Sequence, residues 1–252
     1  MRERLSVTIV CVDAQEKIRA CLESVAWADE IVVCDSGSCD ETLAICAQYT
    51  DHIYTDPWRG FGAHKNLALE RASHPWVLSL DADERVTPPL ERRIRRILEG
   101  PAEAVGYHIP RRNYFLARWI RHGGWYPDYV LRLFRRDRGR FTERAVHEAV
   151  EVDGPTARLE EALEHHTYDS IAAYLMRMNR YSALAAGEMR RAGVTFRPWD
   201  LVWRPPATAL KMYLVRQGFR DGVHGLALAG LYGGYTFAKY LKLWELQAKG
   251  GP

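Results

Sequence analysis

The sequence lacks several features that define common classes of protein. It has no run of about 18 uninterrupted apolar residues, so we do not expect a simple membrane-spanning helix. Its opening, MRERLSVTIVCVD, lacks the apolar stretch of a secretory signal, because Asp13 follows too soon. Internal repeats and low-complexity tracts are absent as well.

Cysteine is sparse and unsuited to a disulfide framework. The cysteines are five in number, form no C-x-x-C pair and lie among apolar residues near the start of the chain: Cys11, Cys21, Cys34, Cys39 and Cys46. This pattern is typical of reduced, mostly buried thiols and not of disulfides or a zinc site. We therefore expect a cytoplasmic protein.

The composition that is present allows a sizeable core and shows an uneven distribution of charge. The chain has 252 residues, 47% of them apolar, which suffices for one α/β domain with an appendage. The net charge is only +3, yet residues 85–144 contain fifteen arginines against six acids. Such asymmetry indicates an anionic substrate or surface.

The first hundred residues alternate between strand and helix patterns. Continuous apolar runs at 5–12, 30–35 and 76–80 predict strands that are buried on both faces. Amphipathic segments between them predict helices, so we expect an α/β fold with a mostly parallel central sheet. Ligands of such sheets bind beyond the carboxyl ends of the strands, where Asp35 and Asp81 lie.

After Gly100 the pattern changes. The segments predict shorter, partly antiparallel strands, followed by a long helix from Asp169. We interpret the proline- and tryptophan-rich stretch 196–206 as a break before two further helices. The predicted division is a catalytic domain at 1–166 and a helical C-terminal region at 167–252.

Acidic side chains are concentrated in LDADE, residues 80–84, where the predicted strand 76–80 ends. Asp81 and Asp83, two apart on an extended backbone, point the same way, and Glu84 is interpreted as local support. Carboxylate oxygens of this kind suit Mg²⁺ or Mn²⁺ bound to a diphosphate. Arg85 and Val86 exclude an EF-hand loop, and the remaining alternative is a capped, solvated turn.

Several motifs together resemble a known family of enzymes. VTIVCVDAQEKIRACLESV, DEIVVCDSGSCDET, GFGAHKNLAL and WVLSLDADERV are similar to glycosyltransferase family 2, the inverting enzymes with a GT-A fold. The later motifs YPDYVLRLFRR and RAVHEAVEVDG resemble the bacterial lipopolysaccharide core β-1,4-glucosyltransferases within it. The resemblance implies a UDP-sugar donor, a divalent cation and transfer of glucose to a heptose.

The resemblance also implies roles for individual residues. Asp35 would contact the uracil or ribose, Lys65 the pyrophosphate, and Asp81 and Asp83 the ribose and the metal ion. Metal and lysine would neutralise the charge that develops on the departing UDP. Asp13 lies after the first strand, where the family binds the nucleotide. This chain has CVDA there in place of the family's usual T-K/Y-N-E.

An inverting transfer also requires a base for the acceptor hydroxyl. Glu148, flanked by apolar residues on the acceptor side, is the first candidate, and Asp128 is the alternative. His147 would complete the metal shell or orient the diphosphate. Arg132 would bind the diphosphate or the phosphates of a lipid acceptor, with an exposed, Arg-rich strand edge as the alternative.

The C-terminal region carries a candidate membrane-docking segment. Seventeen uncharged residues, 222–238, are flanked by basic and aromatic side chains, as in segments that lie among lipid headgroups. We therefore expect peripheral binding to the inner leaflet of the bacterial cytoplasmic membrane and a lipid-anchored glycan acceptor. The alternative is a helical hairpin packed on the catalytic domain or on a second subunit. The sequence leaves the oligomeric state open.

Other interpretations differ in testable ways. The same enzyme class could act on a polyprenyl phosphate or on capsular polysaccharide. A sugar-nucleotidyltransferase normally has a glycine-rich loop after the first strand, and CVDAQEKIRA contains no glycine. Nucleic-acid binding is not expected, because the arginines form no known motif and the acids would go unexplained. The adjacent pair His165 and His166 points to opposite sides of an extended chain, which favours a structural role.

Overall fold

The computed structural model describes residues 2–142 and 149–249, which belong to two compact units. The first unit comprises Met1–Arg111 and Asp128–His165, and the second comprises Arg112–Pro127 and His166–Pro252. The predicted division at residue 166, with catalysis assigned to the first part, stays a prediction.

The described residues contain strands and helices in the following order along the chain. The strands are β1 (Leu5–Cys11), β2 (Glu30–Asp35), β3 (Ile53–Thr55), β4 (Trp76–Asp81), β5 (Glu84–Val86), β6 (Gly106–Phe115), β7 (Arg118–Trp119), β8 (Asp128–Arg135), β9 (Gly139–Phe141), β10 (Val150–Val152), β11 (Thr156–Arg158) and β12 (Leu163–Tyr168). The α-helices are α1 (Gln15–Val25), α2 (Thr42–Cys46), α3 (Phe61–Arg71), α4 (Pro88–Glu99), α5 (Ile171–Arg191), α6 (Trp199–Leu210) and α7 (Gly222–Lys249).

The main sheet has a parallel part and an antiparallel part. Its order is β3-β2-β1-β4-β8-β6-β12-β5, and the pairs among β3, β2, β1 and β4 are parallel. Strand β8 joins β4 antiparallel, and β6 joins β8 in the same sense. This arrangement confirms the predicted α/β class, with helical crossovers before Gly100 and antiparallel strands after it.

The helices of the first unit bury the faces that their periodicity predicts. In α1, the buried side chains are Ile18, Cys21, Leu22 and Val25, at helical spacing. Helix α4 begins at prolines, where a missing N–H costs nothing, and the Thr87 hydroxyl accepts a hydrogen bond from the Leu90 amide. These helices hold the sheet rigid beneath the ends of its parallel strands.

The second unit is built around α7, which packs against α5 and α6. The predicted break at 196–206 is right only at its start, because residues 196–198 lie outside any helix, whereas α6 begins at Trp199, includes Pro205 and Pro206 and continues into a π-helix at Lys211–Val215. Each proline removes a helical hydrogen bond, but close packing on α7 offsets this cost. A Cβ added at Gly233 would lie only 3.2 Å from the Pro205 carbonyl oxygen. Within the described ranges, no helix is long and apolar enough to cross a membrane.

Candidate active site

The predicted acidic residues meet at one edge of the parallel sheet. Asp35 ends β2 and Asp81 ends β4, and β1 runs between these two strands. In the registers of the two pairs, Cys11 lies beside Asp35 and Val10 beside Asp81. The carboxyl ends of parallel strands thus place both acids at the edge where such sheets bind ligands.

Asp81 lies between two cationic side chains. Lys65, from the middle of α3, places Nζ 2.8 Å from Asp81 Oδ1. Arg132, from the antiparallel neighbour β8, donates to Asp81 Oδ2 at 2.6 Å. Both cationic side chains are 3% exposed, whereas that of Asp81 is 31% exposed, so the carboxylate marks the accessible side of the cluster.

Glu84 supports this cluster from beneath. Its side chain is fully buried and accepts hydrogen bonds from Arg132 Nη2 at 2.6 Å and from the Asp81 amide at 3.0 Å. Arg111, on β6, approaches the same carboxylate at 3.3 Å. A buried carboxylate is tolerated only when it is paired in this way. Glu84 is therefore local support, as its position in the sequence indicated.

The electrostatics of the cluster favour the charged forms of Asp81 and Arg132. Burial by itself raises the pKa of Asp81, but the charges of Arg132 and Lys65 outweigh it and hold this pKa well below its usual range. Burial acts to lower the pKa of Arg132, and the carboxylates of Asp81 and Glu84 raise it above its usual value. The two acids and two cations thus form a preorganised, charged lining.

Asp83 has a different partner. It lies in the turn between β4 and β5, and its Oδ1 is 3.5 Å from Nε2 of His165 on β12. The two side chains are 18% and 13% exposed. Burial acts to raise the pKa of Asp83, but the hydrogen bond and charge of His165 bring it below its ordinary value. His165, predicted to be structural, therefore faces the acidic turn.

These donors fit a divalent cation in part. Asp83 and His165 offer a carboxylate and an imidazole, the combination accepted by Mn²⁺ and similar ions. Both oxygens of Asp81, by contrast, are already occupied by Lys65 and Arg132. In the part of the chain that is described, no group of three His, Cys, Asp or Glu side chains is arranged to hold a metal. A metal at Asp83 would thus take its other ligands from elsewhere.

Asp35 and Asp13 organise two adjoining loops. The buried Asp35 carboxylate accepts hydrogen bonds at 2.8 Å from the amides of Gly37 and Ser38, and also from the Ser38 hydroxyl. Asp13 accepts a hydrogen bond from the Cys39 amide at 2.8 Å, and its own amide donates to the Ser38 hydroxyl. The two acids tie the loops after β1 and β2 together. Their predicted nucleotide contacts stay predictions.

Of the two candidate bases, the structure describes only Asp128. Glu148 and the metal candidate His147 both lie outside the described residues. Asp128, at the start of β8, is ion-paired with Arg111, whose Nη2 and Nε lie 2.7 and 3.0 Å from Asp128 Oδ2. The Asp128 carboxylate is thus already bound by an internal cation through charge-assisted hydrogen bonds.

Sequence reasoning missed Arg111 and His165 as members of this site. Arg111 arrives on β6 and His165 on β12, strands that are distant from β4 in sequence. His165 is placed by the antiparallel pairing of β12 with β5, in which it lies opposite Glu84. No local pattern predicts such a pairing, although the Arg-rich composition of residues 85–144 indicated an anionic ligand.

Comparison with known proteins identifies the class to which this site belongs. The sequence profile of Glycosyl transferase family 2 matches residues 6–167. The match includes the whole acidic edge, from β1 to Asp83 and His165. The chain belongs to glycosyltransferase family 2, and it is a glycosyltransferase.

Individual relatives extend the similarity over nearly the full chain. The chain is 31% identical to the lipopolysaccharide core biosynthesis glycosyltransferase LpsC of Rhizobium meliloti, over 97% of this chain and 93% of that protein. It is 25% identical to an uncharacterized glycosyltransferase of Rickettsia felis, over 97% and 90%. Among solved structures, S. aureus TarS 1–349 in complex with UDP aligns with 97% of this chain and 92% of that one, at 15% identity and a TM-score of 0.49.

Proposed function

We propose that the protein transfers a hexose, in particular glucose, from a UDP-sugar to an inner-core sugar of lipopolysaccharide, in particular heptose. The observation that carries this proposal is the preorganised edge around Asp81, where two buried cations and a metal-type donor pair converge. Cations arranged in this way suit a diphosphate leaving group. The similarity to LpsC supports a lipopolysaccharide acceptor. The choice of glucose and heptose depends on the resemblance of the sequence motifs.

The metal would be held by Asp83 and His165, with His147 as the predicted further ligand. When bound, a divalent cation acts as a Lewis acid and neutralises charge on the diphosphate. Each oxygen of Asp81 has one cationic partner and keeps a second lone pair, so Asp81 would position these two cations and stays a predicted further metal ligand. Lys65 and Arg132 would then bind the diphosphate oxygens.

Binding of Mn²⁺ to the full-length protein tests the metal assignment without an activity assay. Titration followed by electron paramagnetic resonance should show at least about tenfold weaker Mn²⁺ binding in Asp83→Asn and in His165→Gln. Asp137→Asn is the matched control, because its side chain is 74% exposed and lies outside the cluster. Unchanged Mn²⁺ affinity in both site variants would refute the assignment.

The base is assigned to Glu148, with Asp128 as the alternative. Because the Asp128 carboxylate is already ion-paired with Arg111, Glu148→Gln should abolish turnover and Asp128→Asn should reduce it less. UDP binding is measured in parallel and should persist in both variants. The assay offers several UDP-sugars to a deep-rough lipopolysaccharide acceptor. Near-normal turnover in Glu148→Gln would exclude Glu148, and the absence of transfer from every donor would contradict the proposed function.

A lipid-anchored acceptor requires the protein to work at a membrane, and we propose peripheral binding to the anionic inner leaflet. Helix α6 and the following turn expose a set of apolar side chains: Trp199, Val202, Trp203, Leu210, Leu214 and Phe219. Between residues 195 and 244 there are seven basic residues and only two acids, Asp200 and Asp221, both of them buried. Exposed aromatic groups with exclusively positive exposed charge complement anionic headgroups.

The predicted docking segment 222–238 is only partly available for this contact. It lies inside α7, and its buried side includes Leu228, Gly233 and Thr236. Flotation with vesicles of phosphatidylglycerol or phosphatidylcholine tests the surface. Replacing Trp199 and Trp203 by alanine should reduce binding to the anionic vesicles, whereas Trp58→Ala, an exposed tryptophan of the first unit, should not. Equal binding of wild type to both vesicles would refute an electrostatic contribution.

A further inference from the structure

The segment between β6 and β8 forms an aromatic and basic cluster within the second unit. Strand β7 pairs with the end of β6, with Trp119 opposite Tyr114 and Arg118 opposite Phe115. The ring of Tyr126 contacts Trp119 edge to face, with centroids 5.3 Å apart. Trp119 is thus fixed on both sides by its own hairpin and by the following loop.

Two guanidinium groups lie over the same indole ring. The guanidinium carbon of Arg112 is 4.8 Å and that of Arg121 is 4.3 Å from the Trp119 ring centroid. Because both guanidinium carbons lie this close to one ring centroid, the two positive charges are close to each other. Each arginine gains from the ring's negative face, but the two repel each other.

Neither guanidinium group has an acidic partner among the residues that the structure describes, although the Arg121 backbone amide donates to the Asp221 carboxylate at 3.4 Å. The three other arginines that lie over a tryptophan there are each paired with a carboxylate: Arg95 with Glu91, Arg135 with Glu3 and Arg204 with Asp200. Stacking alone therefore does not explain the Trp119 cluster. Within the described part of the chain, no carboxylate forms an ion pair with either guanidinium group.

Two buried polar atoms of the cluster also lack partners. Nε of Arg112 and Nε1 of Trp119 are inaccessible to solvent and form no hydrogen bond with any described group. Leaving a buried donor unsatisfied costs free energy, so such atoms occur where a ligand or water completes them. Both atoms are hydrogen-bond donors, and they belong to the Arg112 and Trp119 side chains that stack on each other.

We propose that Arg112, Trp119 and Arg121 form a binding subsite for the anionic substituent of an acceptor sugar, a carboxylate or a phosphate. The terminal guanidinium nitrogens would donate charge-assisted hydrogen bonds to its oxygens, and the indole ring would hold both guanidinium groups in place. The segment is covalently continuous at its two ends with Arg111 and Asp128, which are ion-paired within the acidic site. The assignment of the ligand to the acceptor rests on the proposed function.

Calorimetric titration of the full-length protein with simple sugars tests the subsite. Glucuronate supplies a carboxylate, glucose 6-phosphate supplies a phosphate, and methyl glucoside is the neutral reference. We expect measurable binding of at least one anionic sugar and about tenfold weaker binding of it to Arg112→Gln and Arg121→Gln. The anion that binds more tightly identifies the substituent. Equal binding of the neutral sugar, or no binding of either anion, would overturn the subsite.

Two controls separate this proposal from folding and from the donor site. Arg118→Gln removes an exposed arginine of the same hairpin that lies over no ring of the described residues, and this variant should bind the anionic sugar as wild type does. A thermal melt of each variant reports folding, and UDP binding reports the donor site. If both arginine variants keep wild-type anion affinity, the subsite is wrong even where transfer occurs. If anion binding depends on them but no lipopolysaccharide acceptor is glycosylated, the proposed function fails and the subsite stands.

Discussion

Arg111 and Arg112 are neighbours in the chain and have opposite environments. In the first unit, Arg111 is ion-paired with Asp128 and Glu84 at 2.7 and 3.3 Å. In the second unit, Arg112 lies over Trp119, and no acidic partner is present among the described residues. One arginine completes an internal network, while the other has no carboxylate partner in the described ranges 2–142 and 149–249.

The two arginines thus belong to two kinds of charged cluster. Around Asp81 the charges are paired within the protein, and around Trp119 the guanidinium groups have no carboxylate partner among the described residues. Around Asp81 and Glu84, pairing of carboxylates with arginine and lysine fixes side chains before any substrate arrives, which is how electrostatic preorganisation works. Around Trp119, the uncompensated charge favours whatever anion enters. Changes to the first cluster should therefore lower stability in addition to any effect on donor binding, whereas changes to the second should act mainly on binding.

The largest effect should come from removing the central cation of the first cluster. Arg132→Met leaves Glu84 fully buried with less positive charge beside it and removes one partner of Asp81. Breaking a buried ion pair on one side costs about 3–5 kcal/mol, so the free energy of unfolding should fall by that amount. Urea denaturation followed by circular dichroism measures it.

Arg135→Met on the same strand is the matched control for this substitution. Arg135 pairs with Glu3 at 2.8 Å, but both side chains are about one-third exposed. Exposed pairs contribute about 0–1 kcal/mol, so this variant should lose no more than that. Similar losses in both variants would show that the buried network is not the main electrostatic support of β8.

An intermediate effect is expected for Arg111→Met. Glu84 keeps Arg132 as a partner, and Asp128 is one-third exposed and can be hydrated. The loss of charge-assisted hydrogen bonds should lower the free energy of unfolding by about 2 kcal/mol in the same urea assay. A loss equal to that of Arg132→Met would mean that Arg111, and not Arg132, is the principal partner of Glu84.

Much of the first cluster could be predicted from sequence because its parts follow local rules. Buried strands end at Asp35 and Asp81, and parallel pairing brings those ends to one edge without any knowledge of distant contacts. Lys65 and Arg132 were recognised from their motifs. The faces of α1 and α4 follow from helical periodicity, and the structure confirms them.

The remaining members depend on registers that no local pattern encodes. His165 reaches Asp83 through the pairing of β12 with β5, and Arg111 reaches Asp128 through the pairing of β6 with β8. The stack on Trp119 depends on the short hairpin between β6 and β7. Helix α6 shows the same limit, since packing on α7 overrides the two prolines that predicted a break.

The smallest effect on stability should come from Arg112→Gln, although it alters the arginine next to Arg111. Its loss removes a stacking contact with Trp119, but it also removes repulsion from Arg121, and the two changes oppose each other. The free energy of unfolding should therefore stay within about 0.5 kcal/mol of wild type, as for the exposed Arg118→Gln. A loss as large as that of Arg111→Met would show that the stack stabilises the hairpin. Arg112 would then have a structural role like that of Arg111, and its charge would no longer indicate an anion-binding site.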